Sequence, residues 1–259
     1  MTMYVITHKE FNYPLPKGYL PVLVGAEKNI GPKAYIHDNV GDNISERNPT
    51  YCELTGLYWL WKNSNTTNNI GISHYRRYFS TKRSYPSLYL NTLLTGKQLP
   101  VSIDKLDEML KTNDWIVATP EKVQEGSIKK HFEHCHNLED LLITRDVVRE
   151  KYPRFLSDFD DFIEQDESSF YNMFYTSRKE FDRYSQWLFD ILFEVEKRVD
   201  ISGYNSYQKR LFGFLGERLL NVWLFHLKGN VKYLTVYNSD QTNRIWAAKE
   251  IKHKVLKWR

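Results

Sequence analysis

Short apolar runs alternate along this chain with stretches of helical periodicity, and that alternation confines it to few architectures. Residues 4–7 (YVIT), 20–25 (LPVLVG), 68–73, 114–119 (DWIVAT), 170–176 and 232–237 read as strands. Thr50 and Glu53 match a T-x-x-E capping box, after which Leu54, Leu57, Tyr58 and Trp61 recur at helical spacing. Residues 131–163 read as two helices broken near Pro153, and Ser177 with Glu180 caps a long helix that carries Phe181, Tyr184, Leu188, Ile191, Leu192 and Val195. Residues 85–101 read as a loop passing over a site. Strands that alternate with helices predict an α/β fold whose mostly parallel central sheet is flanked by helices. No linker divides residues 1–240, which are expected to form one domain, followed by a basic amphipathic tail over 241–259.

With 259 residues, 41% of them apolar, the chain can bury a sizeable core. A formal charge of +4 without a clustered Lys/Arg stripe argues against nucleic acid as a partner, while leaving room for a small anion. Two cysteines, Cys52 and Cys135, make no disulfide scaffold, and no leader opens the chain, so a cytoplasmic location is expected. No apolar run approaches the roughly 20 residues of a membrane span. Aromatic residues make up 15%, which suits packing and also stacking on bases and sugars.

Several chemistries fall away. The chain has no Gly-x-Gly-x-x-Gly, Walker or Gly-x-Ser-x-Gly motif. His131, His134, Cys135 and His136 invite a zinc reading, but the other cysteine falls inside an expected core helix, so exposed helix histidines are the simpler account. Asp158, Asp160 and Asp161 alternate with Phe155, Phe159 and Phe162, which puts the acids on a solvated helix face.

The strongest constellation is HYRRYF, residues 74–79, at the end of a strand, together with the turn-forming loop DNVGDNIS, residues 38–45. The order strand, polar loop, capped helix, strand, arginine pair brings both segments to one edge of a parallel sheet, where α/β proteins bind ligands. Asp42 and Asn43 can pair with ribose or base edges, and the forks of Arg76 and Arg77 can neutralise a diphosphate without a metal. On a continuing strand His74 and Arg76 share a face and Arg77 points away. The other account of the arginines is ion pairing with carboxylates at the sheet end.

The run DNVGDNISERNPTYCELTGLYWLWKN followed by NNIGISHYRRYF closely resembles the signature of a bacterial family first catalogued as a domain of unknown function, with members among the glycosyltransferases of capsule, exopolysaccharide and O-antigen clusters. GFLGERLLNVWL, residues 213–224, resembles its second signature. The resemblance implies a GT-A-like nucleotide-sugar fold. It also implies transfer of galactose, pyranose or furanose, from a UDP-sugar donor to a saccharide or lipid-linked acceptor. HYRR stands where such enzymes carry their metal-binding carboxylates. No metal ligand is therefore named and none is expected to be required, with Mn or Mg at most assisting, and Arg76 is expected to stabilise the leaving diphosphate with Arg77 and His74 beside it. His8 and Lys9 contact nucleotide or form an exposed basic turn.

An inverting transferase needs a carboxylate base. Glu217 is the candidate, presented where Gly213 and Gly216 loosen the helix; otherwise it is a first-turn acid paired with Arg210 or Arg218. Asn172 and Tyr175 are candidate acceptor contacts, with core packing the competing role for Tyr175. The alternative to an enzyme is a non-catalytic nucleotide- or sugar-binding module, or a scaffold subunit of a polysaccharide assembly. RIWAAKEIKHKVLKWR, residues 244–259, mixes apolar and basic residues in a way that suits either an anionic membrane surface or a terminal helix packed on the domain.

Overall fold

The computed structural model describes residues 1–82 and 84–257, with side chains as far as His253. Its strands are β1 (Thr2–Thr7), β2 (Tyr19–Leu23), β3 (Ile36–His37), β4 (Asn69–His74), β5 (Arg77–Phe79), β6 (Trp115–Ala118), β7 (Glu121–Lys122), β8 (Glu167–Ser168), β9 (Phe174–Ser177), β10 (Val231–Leu234) and β11 (Val236–Asn238). Its helices are α1 (Asn48–Tyr51), α2 (Leu54–Asn63), α3 (Tyr85–Thr95), α4 (Ile103–Leu110), α5 (Ile128–Cys135), α6 (Leu138–Lys151), α7 (Leu156–Ile163), α8 (Arg178–Glu196), α9 (Leu211–Leu227) and α10 (Arg244–Lys257).

The main sheet runs β10-β6-β9-β4-β1-β2-β3, with β5 joined to the end of β4 and β11 to β5. The pairs β10–β6, β4–β1, β1–β2 and β2–β3 are parallel, and β9 runs antiparallel between β4 and β6. The expected α/β class with a mostly parallel sheet is what forms. The central strands are apolar on both faces because both are covered. Alternate residues divide between two cores: Tyr4, Ile6, Ile70, Ile72 and Phe174 meet α2, α8 and α9 on one side, while Met3, Val5, Ile116 and Tyr175 lie under α3, α4 and α10 on the other.

Several local expectations are corrected. Residues 85–95 are helical, because Ser84 and Ser87 form a reciprocal cap and Pro86 suits a first turn. Over 131–163 the chain forms three helices, the first starting at Ile128, with the break at Pro153 as expected. The Thr50–Glu53 capping box does not form: Thr50 donates to the Arg47 carbonyl, and Cys52 at φ 51° breaks the chain between α1 and α2. α9 passes through Gly213 and Gly216 without interruption. Those glycines allow close approach, since a Cβ at 216 would lie 2.8 Å from Leu54 Cδ1 and one at 213 would lie 3.3 Å from Cys52 Sγ.

The loop at 38–45 is organised by Asp38. Its buried carboxylate accepts from the Gly25 and Ala26 amides and from the Ser45 and Thr55 hydroxyls, so its acceptor capacity is taken up. At the chain end, Trp246 and Ala247 of α10 pack on α3, with Trp246 edge-on to Tyr89 at 5.0 Å. That packing takes up Trp246 and Ile251, two of the apolar residues expected at a membrane surface, and leaves Ile245 exposed. The side chains of Lys254, Val255, Leu256, Lys257, Trp258 and Arg259 lie outside the described residues. No helix among the described residues is long and apolar enough to cross a membrane.

Gly71 tests the sheet. It pairs with Tyr175 across β4–β9, and a Cβ there would stand 2.6 Å from the Phe174 carbonyl oxygen, a backbone atom that cannot step aside. Gly71→Ala is expected to lose about 1–3 kcal/mol by overpacking, read by urea unfolding. Gly203→Ala, with nothing within 4 Å, should be close to neutral.

Candidate functional site

A cleft of about 500 Å³ opens at the carboxyl ends of β1, β2 and β4, where the strand order reverses between β1 and β4. β1 delivers His8, β4 delivers His74, and the junction of α1 with α2 delivers Cys52 and Glu53. The ladder closes with Tyr75 N–H donating to the Ile6 carbonyl at 3.0 Å. Beyond it the chain turns at once, because His74 pairs with Arg77 across a hairpin whose tip is Tyr75–Arg76. This corrects the expectation of a continuing strand with alternating faces: the turn brings His74, Arg76 and Arg77 all into the cleft lining. Arg210 joins them, and Glu53 is the one acid in that lining.

The arginines are weakly engaged. Arg76 is nearly half exposed and reaches Asp240 only at 4.0 Å, a surface pair that contributes little. The Arg77 guanidinium lies over the Tyr171 ring at 4.7 Å, with no carboxylate within ion-pair distance among the described residues. His8 meets Tyr75 edge-on at 5.4 Å, and partial burial followed by the charges of Lys9 and Arg76 lowers its basicity. Lys9 lies outside the lining, its ammonium 5.5 Å from the Tyr75 ring. Burial lowers the basicity of His74, and its Nε2, itself buried behind the cleft surface, has no hydrogen-bond partner.

The carboxylates sit deeper. Glu53 Oε1 accepts from Asn172 Nδ2 at 2.5 Å, and the same amide nitrogen reaches the Gly213 carbonyl at 3.2 Å. Glu217, on the second turn of α9, is one-fifth exposed, accepts from Arg218 Nη1 at 2.9 Å and is not part of the cleft lining. Burial pushes its carboxyl well above the ordinary range; Arg218 opposes that, Glu53 adds to it, and Arg77 and Arg210 oppose it. Arg218 is itself buried between the Phe132 and Phe170 rings. Cys52 accepts from Arg210 Nε, and burial raises its thiol to about 11, so it is no nucleophile at neutral pH.

Four expected contact residues lie elsewhere. Asp42 and Asn43 do not line the cleft: Asp42 is bound by Tyr58 and Asn63, toward the far end of α2, about 15 Å along the helix from Glu53. Tyr175 is fully buried and donates to Asp107, so it cannot touch a ligand. Asn172 is also buried, and its amide holds Glu53 instead of facing open space. Glu53 and Arg210 were not singled out from the sequence; Glu53 read as a helix cap, and only the break at Cys52 turns it toward the cleft. Among the described residues no group of three or more His, Cys, Asp or Glu side chains is placed to hold a metal.

This geometry puts the molecule in the class of open α/β sheets with a cationic cleft at the carboxyl ends of the strands. The chain belongs to the family designated Domain of unknown function (DUF4422), whose profile matches residues 2–228. No curated protein matches it in sequence. Its fold is similar to that of the WbbM bifunctional glycosyltransferase in apo form, with a TM-score of 0.81 and 26% identity over 92% of this chain. The match covers 45% of that longer chain, so this chain spans less than half of its length.

Arg76→Ala and Arg77→Ala should leave the Tm nearly unchanged, because neither arginine is bound into the core. Calorimetric titration with inorganic pyrophosphate should show affinity falling by about tenfold or more for each, the scale of a lost hydrogen bond between charged groups. Unchanged affinity would remove the arginines from the anion site.

Proposed function

We propose that the protein is a glycosyltransferase that binds a UDP-hexose, galactose or galactofuranose, in this GT-A-like cleft and transfers the sugar with inversion to a saccharide or lipid-linked acceptor. The observation that carries the reading is the pair Arg76 and Arg77 at the strand-order reversal, presented to the cleft without close carboxylate partners. The similarity to a glycosyltransferase structure supports it. In the reaction the acceptor oxygen attacks the anomeric carbon, the bond from that carbon to the diphosphate oxygen breaks, and the acceptor proton passes to a carboxylate. Arg76 and Arg77, with Arg210 near them, take up the charge released on the diphosphate. His8, in the cleft lining, would hydrogen-bond the donor, while His74, whose Nε2 is buried, would support the wall behind it.

Glu217 is assigned as the base, with Arg218 fixing its orientation. A base whose ionisation is held back by burial ionises late, so the rate should rise with pH through that elevated value and level off above it. The same shift affects stability with a defined sign. A carboxyl held above its unfolded value favours the folded state at acid pH, and that contribution is lost as pH rises through the folded value. A second assignment, Glu53 as base, is favoured by its place in the cleft lining. The variants separate them: Glu217→Gln should lower kcat by about 100-fold or more and erase the acid limb, whereas Glu53→Gln should mainly raise KM. The reverse pattern would transfer the role to Glu53.

The decisive experiment is a donor panel with purified protein, scoring binding and nucleotide release with and without acceptor. Binding without release from any donor would favour a non-catalytic module. Since the arginines supply positive charge at the diphosphate, a substantial fraction of activity is expected to survive EDTA. Complete loss restored by Mn²⁺ would assign the leaving-group charge to a metal instead. A lipid-linked acceptor would place the reaction at the inner face of the cytoplasmic membrane.

A further inference from the structure

α3 has two faces. Leu88, Tyr89 and Thr92 are buried toward the domain and α10, whereas Leu90, Leu93 and Leu94 face solvent, with Leu90 53% and Leu94 70% exposed. Leu99, beyond the end of α3, and Ile245, at the start of α10, are also exposed; Arg244 beside Ile245 donates to the Leu94 carbonyl, which ties the two segments together. Five of the thirteen exposed large apolar residues among the described residues therefore belong to this one region. A monomeric protein seldom gathers such residues without a use for them.

Positive charges predominate around this face. A separate cavity of about 390 Å³ opens beside α3, with Lys82, Lys97 and Lys105 in its wall, Asn91, Thr81 and Thr95 as neutral hydrogen-bonding groups, and no carboxylate in the lining. From Ser80 to Ile103 the sequence contains no Asp or Glu. Asp104 follows and is exposed, yet it stays outside the cavity wall. Arg244, Lys249 and Lys252 of α10 are exposed as well, against a half-buried Glu250.

A row of leucines on a helix, bordered by lysines and a lysine-walled cavity, complements a surface that is apolar below and anionic at its boundary. We propose that this face docks on an anionic phospholipid bilayer, with Leu90, Leu93 and Leu94 entering the acyl boundary and a head-group phosphate held among Lys82, Lys97 and Lys105. The docking element differs from the one the sequence pointed to, because Trp246, Ala247 and Ile251 of α10 are turned into the domain. The face is close to the cleft: β5, three residues and about 10 Å long, joins the Tyr75–Arg76 hairpin to the Ser80–Lys82 segment. Docking thus brings the cleft near the bilayer, which deepens the reading of a lipid-linked acceptor without depending on it.

The test is co-sedimentation of the full chain with vesicles of phosphatidylcholine alone, or of phosphatidylcholine mixed with phosphatidylglycerol, with no sugar nucleotide present. The wild type should pellet only with the anionic vesicles and be released as salt rises, since the attraction is screened within about 10 Å at 0.1 M. Leu90→Ser combined with Leu94→Ser should abolish pelleting with an unchanged Tm. Lys97→Ala and Lys105→Ala should each weaken it about fivefold, the equivalent of about 1 kcal/mol per basic side chain at such a surface. Pelleting of the leucine variant like wild type, equal binding to both vesicle types, or no binding at all would overturn the proposal. Donor turnover on a soluble acceptor, measured separately, reports on the transferase reading, so failure of one does not imply failure of the other.

Discussion

Parallel pairing of β4 with β1 is the constraint on which the cleft depends. It sets His74 beside Ile6, and the bond from Tyr75 N–H to the Ile6 carbonyl ends the ladder where the hairpin begins. A one-residue slip in that register would exchange the two faces of β4, moving Ile70 and Ile72 out of the core under α2 and α8. The pairing is therefore enforced by burial on both sides of the sheet, and the arginines at the hairpin inherit a fixed position from apolar residues such as Ile70 and Ile72, which lie outside the cleft lining. This is how two cations can be held at a sheet edge with no ion pair among the described residues closer than the 4.0 Å contact of Arg76 with Asp240.

A second layer of order is polar. Asp38, fully buried, gathers four donors from the turn after β2, from Ser45 and from Thr55 of α2, and so fixes that helix against the sheet. The break at Cys52 then frees Glu53 to meet Asn172, while Gly213 and Gly216 let α9 come close enough for Glu217 to join the same electrostatic neighbourhood. Asp38 is satisfied by hydrogen bonds and structural in effect. Glu217 has Arg218 as its one side-chain partner, and burial outweighs the neighbouring arginines, which is the condition under which a carboxyl becomes responsive near neutral pH.

The α/β class, the core strands and the cap of α8 were legible because they rest on local periodicity and on the Ser177–Glu180 pair, both written within a few residues of sequence. HYRRYF was legible as the end of a strand, and its residues do reach the cleft. The helix at 85–95 was missed because its second apolar face, Leu90, Leu93 and Leu94, obscures the periodicity of the buried one. Thr50 and Glu53 match a capping box by spacing, but the close packing of α9 on Cys52 and Leu54 accompanies a different local path.

What the sequence by itself determined is which residues could be buried and which chemistry was available: the strands, the long helices, the arginine pair and an acid in GFLGER. Only the tertiary structure decided which of these meet. Asp42 and Tyr175 were as plausible from sequence as His74, yet Asp42 is bound near the far end of α2, Tyr175 is sealed beneath α4, and Glu53 and Arg210, unremarkable in the chain, stand in the cleft. The physical reason is that periodicity reports the face on which a side chain lies, whereas a site is made where turns end and helices approach. Those positions depend on long-range packing that no local pattern encodes.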